Sequence, residues 1–164
     1  MSSPSDFYRT LQNTARSFVE NQAAEPGTNN QSGHPTLRAE NCITTFGPAG
    51  TIASKPSLQE EKTNEGFVAH MNMMTPMLET WRVDAKRVVV DEQQKEANVL
   101  AMYYMTPKGK GDKESRTVEH EINWWLKMTE DGKLVERCTE YIDGSAAARI
   151  MELVMEYKKS QNSA

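Results

Sequence analysis

The chain has 164 residues, with 19 lysines and arginines against 23 aspartates and glutamates, so its formal net charge is −4. This length suits one domain with a core of its own, and we expect a single domain over residues 1–164 with an ordered part from about 5 to 159. The negative net charge argues against nucleic-acid binding, which requires a basic face.

The N-terminal third predicts two helices and an extended segment. Residues 6–24 place apolar side chains at helical spacing, and Ser5 is a suitable N-cap. Pro35 can open a short second helix that includes Arg38. The pattern then predicts an extended chain over residues 42–46, followed by a loop rich in glycine and proline.

A third helix, four strands and a last helix are predicted in the remainder. Residues 59–79 have a methionine-rich apolar face, and Pro76 marks a kink or an end. The hydrophobic period then changes from helical to alternating, which is typical of strands. The predicted strands cover residues 81–91, 97–105, 116–128 and 133–143, and an amphipathic helix covers 145–159.

The order of these elements predicts an α+β fold, because the strands follow one another instead of alternating with helices. A curved antiparallel or mixed sheet, wrapped around three N-terminal helices and followed by a C-terminal helix, would form a cone-shaped barrel. Its pocket would lie at the wide end of the cone.

The two cysteines and the hydropathy bear on metals and location. Cys42 and Cys138 lie far apart without a CxxC partner, so neither a zinc site nor a disulfide is indicated. Two free thiols are typical of a reducing cytosol. The N-terminus is polar, and no apolar run is long enough to cross a bilayer, so we expect a cytoplasmic protein without membrane contact.

The segment VEHEINWWLKM, residues 118–128, presents two mixed faces as a strand. One face carries Glu121, Asn123 and Trp125, and the other carries His120, Ile122 and Trp124. We expect the first face to look into the pocket and the second to lie on the convex side of the sheet. The competing assignment, with His120 and Trp124 in the pocket and Glu121 in water, stays open.

Several short features together resemble a known family. They are Arg38 and Cys42, the WWL of residues 124–126, and the DGK hairpin of residues 131–133 followed by Asp143. The chain resembles the SnoaL-like branch of the nuclear transport factor 2-like superfamily, in particular small fungal proteins of secondary metabolism. The resemblance implies a cone-shaped α+β barrel, usually dimeric, with one deep pocket and no metal or organic cofactor. It also implies activity as a cyclase, isomerase, dehydratase or semipinacol-type catalyst.

Glu121 is the candidate for proton transfer in such a pocket. Burial beside Trp125 and Met105 would raise the pKa of its carboxyl toward neutrality. Asn123 lies one pleat away on the same face and could orient that carboxyl.

Tyr103 and Arg38 are the candidates for stabilising an oxyanion. The Tyr103 phenol could donate to a substrate carbonyl, and the small Ala101 beside it would leave room for a ligand. The resemblance implies that Arg38 faces the cavity from its mouth, where its guanidinium could bind an oxyanion or keep Glu121 ionised.

The remaining candidates bind substrate without a defined chemical step. His70 could also form a dyad with Asp84 or Asp143, and Asp143 could instead cap the last helix. The predicted substrate-binding set is His70, Asn123, Trp125, Met74, Met105 and Asp143.

These residues lead to one functional hypothesis and two alternatives. The first is a cofactor-free isomerase or cyclase acting on a small alkaloid, polyketide or meroterpenoid, for example by a semipinacol-type shift. The alternatives are a dehydratase with a histidine–aspartate pair and a non-catalytic module for ligand binding or dimerisation. Because Trp124 and Ile122 on the convex face would form an apolar patch too large for a monomer, we also expect a homodimer.

Overall fold

The structure, a computed structural model, describes residues 5–23 and 37–162. Within these ranges it contains five α-helices and one five-stranded sheet. The helices are α1 (Asp6–Glu20), α2 (Ala49–Ile52), α3 (Asn64–Met74), α4 (Lys113–Arg116) and α5 (Gly144–Asn162). The strands are β1 (Arg38–Gly47), β2 (Leu78–Asp91), β3 (Glu96–Pro107), β4 (Val118–Met128) and β5 (Val135–Ile142).

The sheet is mixed and open, with strand order β1-β5-β4-β3-β2. Strands β2 to β5 pair as antiparallel neighbours in chain order, as the four predicted strands require. Strand β1 adds to the far edge and runs parallel to β5. The α+β fold class is therefore confirmed. None of the helices in the described ranges is long and apolar enough to cross a membrane.

Helix α1 confirms the first predicted helix and its cap. The Ser5 hydroxyl accepts a 2.8 Å hydrogen bond from the backbone N–H of Tyr8. The helix buries Leu11, Ala15 and Phe18 against the sheet. It ends at Glu20, four residues before the predicted end, and Ala24 lies outside the described residues.

The predicted second helix is wrong at Arg38, which is the first residue of β1. Pro35 itself lies outside the described ranges. Arg38 pairs with Val135 in a parallel ladder, and Cys42, Thr44 and Arg38 all point into the core. The partner strand β5 follows about ninety residues later in the chain, so local sequence contains no sign of this pairing.

The third predicted helix is shorter than residues 59–79 at both ends. The Thr63 hydroxyl accepts a hydrogen bond from the backbone N–H of Gly66 and starts α3 at Asn64. A 3₁₀ turn over Thr75–Met77 contains Pro76, and β2 begins directly at Leu78. The capping threonine and the proline therefore set the two ends.

The predicted orientation of β4 is wrong, and the competing assignment is correct. His120, Ile122 and Trp124 are buried, whereas Glu121 is exposed and Trp125 is 49% exposed. The opposite orientation would bury the charged groups of the alternate row without partners, at a high free-energy cost. Facing inward, Trp124 instead packs edge-on against Phe18 of α1, at 5.8 Å between ring centroids.

Candidate active site

A cavity of about 290 Å³ lies between the inward face of the sheet and helices α3 and α5. Its walls are mainly apolar, with methionine, isoleucine and aromatic side chains from all five strands and both helices. A small polar set interrupts these walls: Gln22, Lys55, Ser57, His70, Tyr103, His120 and Glu140. An apolar pocket with few polar groups is typical of a site for a small organic molecule.

Glu140 of β5 places a carboxyl group at the wall of this cavity. Burial raises the pKa of its carboxyl from 4.5 to about 8, the neighbouring Cys138 adds to the increase, and the charge of Arg38 opposes it. Among the described residues, the Glu140 carboxyl has no hydrogen-bond or ion-pair partner. At neutral pH, Glu140 is therefore mostly a neutral carboxylic acid that can donate a proton.

Two neutral imidazoles line the same cavity. Burial lowers the pKa of His120 to about 4, with the charge and main chain of Asp143 opposing the decrease and Lys55 adding to it. Burial also lowers the pKa of His70, and the positive charge of Lys62 contributes. Neither ring nitrogen of His120 has a hydrogen-bond partner in the part of the chain that the structure describes, and the same holds for Nδ1 of His70. Both rings are therefore neutral at neutral pH, and the same burial makes them weaker bases than a free imidazole.

Tyr103 lies in a hydrogen-bonded chain at the base of the cavity. The indole Nε1 of Trp124 donates to the Tyr103 hydroxyl at 3.0 Å. That hydroxyl donates in turn to Oε1 of Gln22 at 3.2 Å. Burial raises the pKa of the phenol above its usual value, so Tyr103 stays protonated. Its one proton is already bound by Gln22, so Tyr103 orients its neighbours.

The sheet register sets the order of these groups. Tyr103 is the direct cross-strand partner of His120, and Glu140 is the direct partner of Trp124. Because the Tyr103 hydroxyl binds the Trp124 indole, the Tyr103 side chain extends from His120 toward Glu140. The two pairs lie four positions apart on β4, which is about 13 Å along the strand at ~3.3 Å per residue. His120 therefore lies beside the Tyr103 backbone, and Glu140 lies toward the hydroxyl end of the Tyr103 side chain.

His70 approaches from the opposite wall. Its ring centroid lies 5.5 Å from that of Phe46, at an interplanar angle of 58°. Phe46 is the β1 residue that pairs with Glu140 in the parallel ladder. The His70 imidazole is thus associated with the Glu140 part of the cavity, and His120 with the other part.

Four of the predicted site residues do line the cavity. They are His70 and Met74 of α3, and Tyr103 and Met105 of β3. The alternating pattern of β3 and the helical pattern of α3 placed them correctly. Their roles in binding or catalysis remain proposals.

Arg38 lies in the core, next to the cavity but outside its lining. The guanidinium donates to Asn64 Oδ1 at 2.9 Å, to the Thr44 hydroxyl, and to Cys138 Sγ at 3.6 Å. Its Cζ also lies 4.6 Å from the ring centroid of Phe67. Arg38 therefore joins β1, β5 and α3, and it influences the pocket through its charge.

The other predicted residues do not reach the cavity. Glu121, Asn123 and Trp125 share the outer face of the sheet. Asn123 exchanges two hydrogen bonds with Asn98, at 2.6 and 3.0 Å, and the Trp125 indole donates to Glu96 at 3.1 Å. The predicted pocket placement is wrong for all three residues at once, because residues two positions apart in a strand share one face of the sheet.

The predicted histidine–aspartate dyad is not formed. Asp143 is exposed and caps α5, accepting from the Ser145 backbone N–H at 2.9 Å, as the alternative reading of this residue predicted. Asp84 binds Arg82 and Lys86 on the outer face. Among residues 5–23 and 37–162, the side-chain partners of Asp143 and Asp84 do not include His70, and Nδ1 of His70 has no partner.

Three further cavity residues were not predicted from the sequence: Glu140, Gln22 and Lys55. A usable signal existed for Glu140, which alternates with Cys138 and Ile142 on one face of β5 and so stands in an apolar row. Gln22 follows the end of α1 and Lys55 lies in a loop, where no period indicates direction. No group of three or more histidine, cysteine or acidic side chains within the described ranges is arranged to hold a metal ion.

The fold is similar to the cone-shaped α+β fold of solved nuclear transport factor 2-like and SnoaL-like structures. No protein-family profile matches the sequence, and no curated protein matches it.

Several solved structures have a fold similar to that of this chain. BvnE pinacolase from Penicillium brevicompactum has a TM-score of 0.73 at 15% identity over 99% of this chain and 98% of that one. PrhC from Penicillium brasilianum has a TM-score of 0.72 at 18% identity over 92% and 91%. A candidate SnoaL-like polyketide cyclase from Jannaschia has a TM-score of 0.65 at 12% identity over 94% and 97%. At these identities the likeness establishes the fold.

Proposed function

We propose that the protein is an isomerase or cyclase that rearranges a largely apolar small molecule in this cavity by proton transfer, without a cofactor. The observation that supports the proposal is the combination of a neutral Glu140 carboxyl and neutral imidazoles in one apolar cavity. An acid and a base held in opposite protonation states by burial are what such catalysis requires. We assign to Glu140 the acid role that the sequence suggested for Glu121, because the Glu121 side chain lies on the outer face of the sheet.

The sharper form of the proposal is a semipinacol-type shift. Glu140 protonates an epoxide oxygen, and the C–O bond breaks as a substituent migrates from the neighbouring carbinol carbon. The carbinol O–H then loses its proton to a neutral imidazole, for which both His70 and His120 qualify, and a ketone forms. The product is an isomer of the substrate, so no oxidant or reductant is needed. Proton exchange with solvent restores the carboxylic acid and the neutral imidazole.

The substrate class we propose is a polycyclic alkaloid, polyketide or meroterpenoid intermediate of secondary metabolism. The apolar walls and the volume of the cavity suit a compact hydrophobic skeleton. The likeness to a fungal pinacolase and to a candidate polyketide cyclase supports the same class.

A pair of matched substitutions tests this proposal. The probe is a tertiary 2,3-epoxy alcohol with an aryl group on its carbinol carbon, which rearranges to a β-hydroxy ketone. We expect Glu140→Gln to lower the rate by about 10²- to 10⁴-fold, the usual contribution of a general acid. Glu121→Gln, the same change on the outer face, should leave the rate unchanged. Equal rates for wild type and Glu140→Gln would refute the acid role and favour a binding module.

We also propose a homodimer, although for a different reason than the sequence indicated. Trp124 and Ile122 are buried, so they cannot form the predicted patch. The outer face of the sheet instead exposes Trp125 and Tyr141, at 49% and 41%, as diagonal neighbours across β4 and β5. Sedimentation equilibrium should show a dimer that Trp125→Ser weakens, and a monomer at all concentrations would contradict the proposal.

A further inference from the structure

Two buried hydrogen-bond donors in the cavity have no acceptor. The amide Nε2 of Gln22 and the indole Nε1 of Trp81 find no partner among the residues that the structure describes. The two side chains are only 2% and 7% exposed, and both line the cavity. An unpaired buried donor costs about 1–3 kcal/mol, so each such group requires an explanation.

Both donors lie beside Tyr103. The Gln22 amide binds the Tyr103 hydroxyl at 3.2 Å, and the Trp81 ring centroid lies 6.1 Å from that of Tyr103. Trp81 belongs to β2, which pairs with β3 next to Tyr103. The two N–H groups are therefore held by separate elements, the segment that follows α1 and the edge strand β2, beside one aromatic ring.

The hydrogen-bonded chain fixes which atom of the Gln22 amide faces the ligand. The Tyr103 oxygen accepts from Trp124, so its own proton must go to an acceptor, and Oε1 of Gln22 is that acceptor. The amide nitrogen is then left free with its two hydrogens. An indole nitrogen can only donate, and Gln22 Oε1 already accepts from Tyr103, so the unpartnered groups in this part of the cavity are hydrogen-bond donors.

We propose that Gln22 and Trp81 form a subsite that binds a carbonyl or epoxide oxygen of the substrate. An oxygen of that kind accepts hydrogen bonds and has no proton to donate, so it matches a pair of donors. The positive ends of two fixed N–H dipoles would also stabilise negative charge that develops on the oxygen.

The subsite rests on the proposed function only in one respect, the protonation of the bound oxygen by Glu140. Glu140 lines the same cavity as Gln22 and Trp81. In the proposed reaction, the oxygen that these two donors hold is the one that Glu140 protonates. Binding itself requires no turnover and can be measured separately.

Two probes of the same shape test the subsite. The first is 2-acetonaphthone, whose ketone oxygen accepts hydrogen bonds, and the second is 2-isopropenylnaphthalene, in which a CH₂ group replaces that oxygen. The chain has three tryptophans, so three indole N–H signals report on binding in a nitrogen–proton NMR spectrum. We expect the ketone to bind about tenfold more tightly, as hydrogen bonds to two donors would give. The ketone alone should shift the Trp81 indole signal.

A matched pair of substitutions isolates the indole donor. Trp81→Phe removes the N–H and keeps an aromatic ring, and it should lower ketone affinity about fivefold while leaving the affinity for the hydrocarbon unchanged. Retained hydrocarbon binding shows that the variant is folded. Trp125→Phe, on the outer face, should change neither affinity. Tyr103→Phe should also weaken ketone binding, because Gln22 would lose the contact that orients its amide.

Three results would overturn the subsite. They are equal affinity for the two probes, a Trp81 indole signal that does not move at saturating ketone, and no ketone binding at millimolar concentration. None of these depends on Glu140. Loss of the acid role in the Glu140→Gln rate assay, with the binding differences intact, would remove the proposed reaction and leave the subsite standing.

Discussion

Replacing Glu140 by glutamine should make the protein's stability less sensitive to alkaline pH. In the folded protein the pKa of this carboxyl is about 8, against 4.5 for an ordinary glutamate. Between these values the folded state keeps a proton that the unfolded state releases. The stability of the wild type therefore falls as pH rises from about 4.5 to about 8, and it levels off once the folded carboxyl has also ionised. Glutamine has the same shape and does not ionise.

The size of the effect follows from the pKa. At about pH 6.5 the folded carboxyl lies about 1.5 units below its pKa, and each unit corresponds to about 1.4 kcal/mol. At about pH 8.5 this contribution is almost gone. Between these two pH values, the free energy of unfolding of the wild type should therefore fall by about 2 kcal/mol relative to that of Glu140→Gln. His120, with a pKa near 4, titrates mainly below this window and is common to both proteins.

Urea denaturation followed by tryptophan fluorescence measures the difference directly. The two proteins are unfolded at about pH 6.5 and at about pH 8.5, and the change in their difference is the quantity of interest. Glu121→Gln is the control, because its exposed carboxyl should give a curve parallel to that of the wild type. If Glu140→Gln also runs parallel to the wild type, the carboxyl is ionised throughout and the reasoning is refuted.

Three further predictions address activity, packing and the core charge. The rate of rearrangement should fall as pH rises through about 8, where Glu140 loses its proton, and the residual activity of Glu140→Gln should lack this alkaline decline. Trp124→Phe should lower the free energy of unfolding by about 1–3 kcal/mol through the lost bond to the buried phenol, whereas Trp125→Phe should change it by about 0.5 kcal/mol or less in the same denaturation assay. Arg38→Lys should cost about 3 kcal/mol, because an ammonium group cannot make the three contacts of the guanidinium at once, and a cost below about 1 kcal/mol would contradict this view of the core.

The elements whose signals are local were predictable from the sequence. Helix α1 has an apolar stripe and a capping serine, and strands β2 to β5 follow one another with short connections. The sequence did not predict that Arg38 lies in strand β1, because the partner strand β5 lies about ninety residues away. A parallel ladder of this kind leaves no mark in the nearby residues.

The orientation of β4 could not be settled locally, because each of its faces has one tryptophan. The neighbouring strand decides the question: Trp124 pairs with Val99, and Ile122 pairs with Ala101, so the two rows bury together. That pairing depends on register, which the local pattern does not fix. Glu140 was not predicted as a site residue for a related reason. A raised pKa follows from burial, and its burial depends on elements distant in sequence, including β1 and α5.

The central claim is that Glu140 holds its proton at neutral pH, and its carboxyl carbon reports this directly. Glutamate side chains are labelled with carbon-13, and the Glu140 signal is identified by its absence in Glu140→Gln. The chemical shift is then followed from about pH 4 to about pH 10. A midpoint near 8 is the predicted result. A midpoint near 4.5, the ordinary value for glutamate, would contradict the assignment of Glu140 as the acid of this site.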